Sequence, residues 1–145
     1  MVGYRLSARS LDNLRGVHPS LYRATILALL YSEYDFTVTE GVRSLDRQKL
    51  LVAKGASQTL HSKHLRQPDG FGHAVDVVAV GDLDRDGDID AQDKSLTWEP
   101  KIYTAIDAAF ERAAGELGVR IRWGGKFKTR DGGPYFDGPH HELVM

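Results

Sequence analysis

A chain of 145 residues, 41% hydrophobic and 27% charged, has the makings of one globular domain with a modest core and leaves little room for a second. Its formal net charge of −1 excludes an overall basic field, so nucleic acid is not an expected partner and charged ligands must be met by local patches. The lack of cysteine excludes disulfides, thiolate metal sites and a thiol nucleophile, and confines any metal to histidines and carboxylates.

In chain order, Ser7 and Ser10 are candidate caps for a short helix through Leu11 and Leu14 that stops at Gly16. Pro19 suits the first turn of a second helix, in which Leu21, Ala24, Ala28 and Tyr31 share a face. The apolar run from Ile26 to Tyr31 is too short to span a bilayer, and residues 1–15 carry Arg5, Arg9, Asp12 and Arg15 in place of an apolar signal core. The expectation is a soluble chain made without a signal peptide and without stable membrane association. Phe36, Val38 and Glu40 alternate with threonines as a strand, after which Ser44 caps a helix from Leu45 to Lys54 ending at Gly55. Residues 56–72 read as loop, and His73 to Val80 as a buried central strand. An aspartate-rich loop follows. From about Glu99 a helix presents Ile102, Ile106, Ala109, Phe110, Ala113 and Leu117 as one stripe and ends at Gly118. Val119 to Trp123 and His140 to Val144 are strands around a glycine-rich loop. Helices first and strands late predict an α+β fold, a small and mostly antiparallel sheet flanked by helices, in a single domain over 1–145.

Five of the six histidines fall into two clusters: His61, His64 and His73 near Asp76, and His140 and His141 near Asp137. Imidazoles and a carboxylate from separate segments are the donors a catalytic zinc takes, with a fourth position left for water. Adjacent strand residues face opposite ways, so His140 and His141 cannot easily both reach one metal. His61 and His73 are expected in supporting, substrate-facing or exposed positions. Trp123 is expected to pack beneath the site.

Three segments, in order, resemble the zinc D-Ala-D-Ala carboxypeptidase and L-alanyl-D-glutamate endopeptidase family, in particular its single-domain bacteriophage endolysins. They are Thr39-Glu40-Gly41-Val42-Arg43-Ser44 with Gln48, then Ser62-Lys63-His64 with Gly72-His73-Ala74-Val75-Asp76, and Trp123-Gly124-Gly125 with Asp137-Gly138-Pro139-His140. The resemblance implies a zinc peptidase fold, with His64, Asp76 and His140 as zinc ligands and Asp137 as the catalytic acid and base. It also implies that Arg43 faces substrate carboxylate or oxyanion; Gln48 and Ser62 are read as supports at the substrate site. One departure is the long loop between His64 and Asp76, where Pro68-Asp69-Gly70 supplies turn chemistry that lets Arg66 to Phe71 bulge outward. The implied function is hydrolysis of the L-Ala-D-Glu bond in bacterial peptidoglycan by a monomer made in the host cytoplasm and acting on the wall. Removal of terminal D-Ala is the enzymatic alternative.

The loop Asp82 to Asp93 matches the twelve-residue calcium loop of EF-hand and dockerin type, with Asp82, Asp84, Asp86, Asp88 and Asp93 as candidate calcium ligands and Gly87 at the turn. Aspartate at the last position, where glutamate is usual, predicts a weaker site, and a strand rather than a helix enters it. A calcium-dependent binding module without catalysis is the competing reading of this loop.

Overall fold

The computed structural model describes residues 3–57, 61–128, 133 and 136–145. Five helices, α1 (Ala8–Asn13), α2 (Pro19–Tyr31), α3 (Leu45–Ala53), α4 (Ala91–Ser95) and α5 (Pro100–Leu117), accompany four strands, β1 (Asp35–Glu40), β2 (Ala74–Val80), β3 (Ile121–Trp123) and β4 (His140–Leu143). The strands form one antiparallel sheet in the order β1-β2-β4-β3. The expected α+β architecture is therefore present, with the valine-rich β2 central as its composition implied.

Local chemistry sets the element ends. Ser7 caps α1, whereas Ser10 is buried and bonds Thr37 and the Val38 amide, so it ties α1 to β1 instead of capping a helix. The ring of His18 caps α2 by accepting from the Ser20 amide. Ser44 caps α3, and Gly118 ends α5 in the left-handed region at φ 68°. The aspartate loop does not run straight into the long helix, as the sequence suggested. Asp90 and Asp93 form a reciprocal capping box that nucleates the extra short helix α4.

One sheet face packs on α2 and α5. Its Phe36, Val38, Val75, Val77, His141 and Leu143 meet Leu21, Ala28, Ile102, Ile106 and Phe110 in a continuous core. Leu117 drops out of the predicted stripe and is 39% exposed. Phe110 is the hub: its ring stacks on His141 at 3.9 Å between centroids and on Phe36 at 5.8 Å. Tyr103 pins α5 to β2, its hydroxyl donating to the Thr97 carbonyl and accepting from the Ala79 amide. Because Phe110 is fully buried, Phe110→Ala is expected to lower stability by about 3–5 kcal/mol in urea unfolding. A loss under about 1 kcal/mol would show that another contact carries this layer.

Candidate metal centre and cleft

The second sheet face is where the sequence motifs converge. Asp76 on β2 pairs with His140 on β4, so both side chains project from that face, and His141 turns to the core as strand alternation requires. A bulge between Val38 and Glu40 brings Glu40 opposite Asp76 while Val38 stays opposite Val77 in the core. The extra residue moves Glu40 to the polar face. His64 arrives from the loop, its segment held by the Arg43 amide on the His64 carbonyl and the His73 amide on the Lys63 carbonyl.

His64 Nε2 lies 3.1 Å from Asp76 Oδ1 and His140 Nδ1 lies 3.3 Å from the same oxygen. One donor atom from each of the three residues falls within 4.8 Å of the others. The far nitrogens are already committed. His64 Nδ1 donates to the Gly41 carbonyl at 2.8 Å, and His140 Nε2 donates to Glu142 Oε1 at 2.9 Å. Each ring's outer nitrogen is thereby fixed as the donor, so that loss of the inner proton would turn a lone pair toward the trio, the arrangement by which metal-binding histidines are oriented. Gly41 is required for this, because a Cβ there would collide with the Asn13 carbonyl at the end of α1. Burial alone would raise the Asp76 pKa, but hydrogen bonds from His140 and His64 carry it below the carboxylate range. Burial opposes charge on His140 too, yet its bonds to Asp76 and Glu142 push it up to about 9. A divalent cation at this point would take the place of those protons.

Around the trio lies a cleft of about 560 Å³ lined by Glu40, Arg43, Ser62, Asp137, Glu142 and others. Arg43 is held on three sides: Nε and Nη2 donate to both oxygens of Glu40, at 2.6 and 2.8 Å, and Nη1 to Gln48 Oε1 at 2.7 Å. Its Nη2 also sits 3.8 Å from Asp76. Gln48 is fully buried, so it acts on Arg43 from within the fold. The Ser62 hydroxyl accepts from the His64 amide, a support for the ligand and not a nucleophile's geometry. Asp137 is held by its amide on the Gly124 carbonyl, and the Trp123 indole donates to the Gly138 carbonyl at 2.8 Å. Burial, then the charge of Asp76, raises the Asp137 pKa.

This geometry agrees with the similarities of the whole chain. The family model for phage L-alanyl-D-glutamate peptidase matches residues 2–144. The chain belongs to that family. It is 30% identical to the L-alanyl-D-glutamate peptidase of Escherichia phage T5, over 99% of this chain and all of the relative. Its fold resembles the crystal structure of the Serratia marcescens L-Ala D-Glu endopeptidase ChiX with a TM-score of 0.72 and 44% identity, covering 98% of this chain and 91% of that one.

Within this family member, the loop between His64 and Asp76 folds on itself through the Gln67 amide on the Phe71 carbonyl and the Gly70 amide on the Gln67 carbonyl. Asp69 accepts from His73 Nε2 at 2.7 Å and lies 3.9 Å from His18, so His73 is a buried anchor for the loop and does not line the cleft. His61 lines the cleft. In the aspartate loop, oxygens of Asp82, Asp84 and Asp93 gather within 4.8 Å, and so do those of Asp84, Asp86 and Asp90. Asp88 joins neither group, and Asp90, at the ninth position of the loop, joins the second. Glu142 is the carboxylate that orients His140, a role that only the His-x-Glu alternation on β4 signals in the sequence. Trp123→Phe removes a buried donor and leaves the Gly138 carbonyl unpaired. It is expected to cost about 1–3 kcal/mol in chemical denaturation, and an unchanged midpoint would mean the turn carrying Asp137 stands without it.

Proposed function

We propose that the chain is a zinc-dependent endolysin that hydrolyses the L-Ala-D-Glu bond of peptidoglycan stem peptides. The observation that carries this reading is the meeting of His64, Asp76 and His140 in one cleft with Asp137, in a member of a family described by that bond. Two neutral imidazoles and a carboxylate, each with its outer partner, fit zinc better than calcium or magnesium, which prefer all-oxygen sets. Bound there, zinc supplies Lewis acidity toward the scissile carbonyl and a water acidified toward neutrality. His64 would hold it through Nε2, His140 through Nδ1 and Asp76 through a carboxylate oxygen. Asp137 takes the nucleophile's proton on its carboxylate and returns it to the leaving amine. Arg43, positioned by Gln48 and Glu40, keeps spare N–H groups for the developing oxyanion. A site of this kind acts on the wall after synthesis in the host cytoplasm, and no described helix is long and apolar enough to cross a membrane.

His64→Ala, Asp76→Ala and His140→Ala are each expected to lose zinc and activity together, whereas His141→Ala keeps its zinc in metal analysis despite a weakened core. Asp137→Asn is expected to retain zinc and lose turnover by about 10²–10⁴-fold. Mass spectrometry of digested wall decides the bond: a new D-Glu amino terminus supports the endopeptidase, and released D-Ala supports the carboxypeptidase.

We also infer that the Asp82–Asp93 loop binds calcium and steadies β2, which runs into it directly. Asp82 Oδ1 is buried with no hydrogen-bond partner, and Asp84 is pushed up to about 6 by burial and by its neighbours Asp86 and Asp93. Arg85 relieves none of this, because it leaves the loop for Glu33 and the ring of Tyr34. Both oxygens of Asp93 are engaged by the amides of Asp84 and Asp90, which fits affinity of roughly micromolar or weaker. Calcium is expected to raise wall lysis by zinc-loaded protein and to leave the Asp82→Ala, Asp86→Ala double variant unmoved. Equal lysis by both proteins in a chelator that spares zinc would reduce the loop to a passive turn.

A further inference from the structure

The cleft holds two kinds of cation. Arg43 is only 9% exposed in its side chain, and its charge is balanced by Glu40 and Asp76 with Gln48 bonded behind it. Arg122, Lys63 and Lys128 line the same cleft, and among the described residues none of their side chains makes a hydrogen bond or ion pair. Arg122 stands directly opposite Glu142 in the β3–β4 pair, on the face that carries His140 and Asp76. Its guanidinium lies 4.5 Å over the Phe127 ring, which in turn lies 5.4 Å from the His140 ring. Arg122 is therefore one aromatic ring away from a proposed metal ligand. Stacking occupies the face of a guanidinium and leaves its N–H edge for a planar anion. Lys63 sits between Ser62, which supports the next loop turn, and His64 itself.

Resting on the peptidase reading above, we infer that Arg122 and Lys63, with Lys128 beside them, bind the free α-carboxylate of the residue on the leaving side of the scissile bond. D-Glu in a stem peptide continues through its γ-carboxyl, so its α-carboxylate stays free two covalent bonds beyond the leaving nitrogen. That anion enters a cleft already lined by Glu40, Asp76, Asp137 and Glu142. Without unpaired cations on the leaving side it would be repelled; with Arg122 it meets a fork suited to bidentate pairing. The structure thus makes the enzyme selective for stems in which this carboxylate is free over those in which it is amidated to isoglutamine.

The test compares L-Ala-γ-D-Glu-L-Lys with L-Ala-γ-D-isoGln-L-Lys as substrates of zinc-loaded protein. A charge-assisted pair predicts a kcat/KM ratio of about ten- to a hundredfold in favour of the acid. Arg122→Gln and Lys63→Gln should each shrink that ratio, and the double variant should bring it near one. Both residues are exposed, so the fold should tolerate the changes, and zinc content is measured alongside. An independent readout is calorimetric binding of the product dipeptide γ-D-Glu-L-Lys, expected to weaken at least tenfold in Arg122→Gln. Equal cleavage of both peptides by the unaltered protein, or a ratio that survives the double variant, overturns the inference. Cleavage of neither peptide sinks the peptidase reading, and dipeptide binding then judges the subsite by itself.

Discussion

The shared carboxylate of Asp76 is the contact on which the rest of the site depends. One oxygen meets His64 and His140, while the other lies near Arg43. Three segments far apart in sequence therefore converge on a residue that β2 holds rigidly at the centre of the sheet. Its place follows from register, because Asp76 pairs with His140 on one side and, through the bulge, with Glu40 on the other. A slip of one residue in either ladder would exchange the polar and core faces and bury these charges. The buried valines flanking Asp76, Val75 and Val77, make that slip expensive and so protect the site.

His140 and His141 show how far one alternation can separate two identical side chains. His140 touches Asp76 and Glu142 and is pushed toward the charged form, while His141, stacked on Phe110 and with neither ring nitrogen hydrogen-bonded, is pushed down to about 3 by burial and the charge of His140. A neutral imidazole is tolerated as an aromatic core residue; a charged one there would face the desolvation cost of an unpaired ion. Asp107, 3.7 Å from His141, is the nearest carboxylate and is itself pushed up to about 6, chiefly by burial. The core thus keeps its own histidine neutral beside the one that serves the cleft.

Much of this was legible in the sequence because it is local. Caps at Ser7 and Ser44, the stop at Gly118, the valine strand and the two histidine clusters are carried by residues a few positions apart, and the structure has them where spacing put them. The convergence of His64, Asp76 and His140 was legible only through the resemblance of three separated segments. What sequence could not convey was pairwise and distant. The bulge at Thr39, the Asp69 anchor on His73, and the opposition of Arg122 to Glu142 each need a register or a loop path that no single segment specifies. The short helix α4 was hidden for a different reason: its capping aspartates belong to the calcium-loop pattern, and the same carboxylate chemistry serves both purposes.

That double use of carboxylates also explains the division of labour among the arginines. A cleft crowded with acids can hold an arginine in two ways, and the structure has both. Arg43 lies deep, bonded to Glu40 and backed by buried Gln48, so its charge is local balance and its position is rigid. Arg122 lies on the three-residue strand β3 at the sheet edge, where stacking on Phe127 orients it without neutralising it. Rigid, neutralised charge suits preorganised support close to the reacting atoms; oriented but unpaired charge suits capture of an anion that arrives from solvent. On the proposed reading, edge and centre of one small sheet therefore separate the tasks of holding the reacting group and recognising what is attached to it.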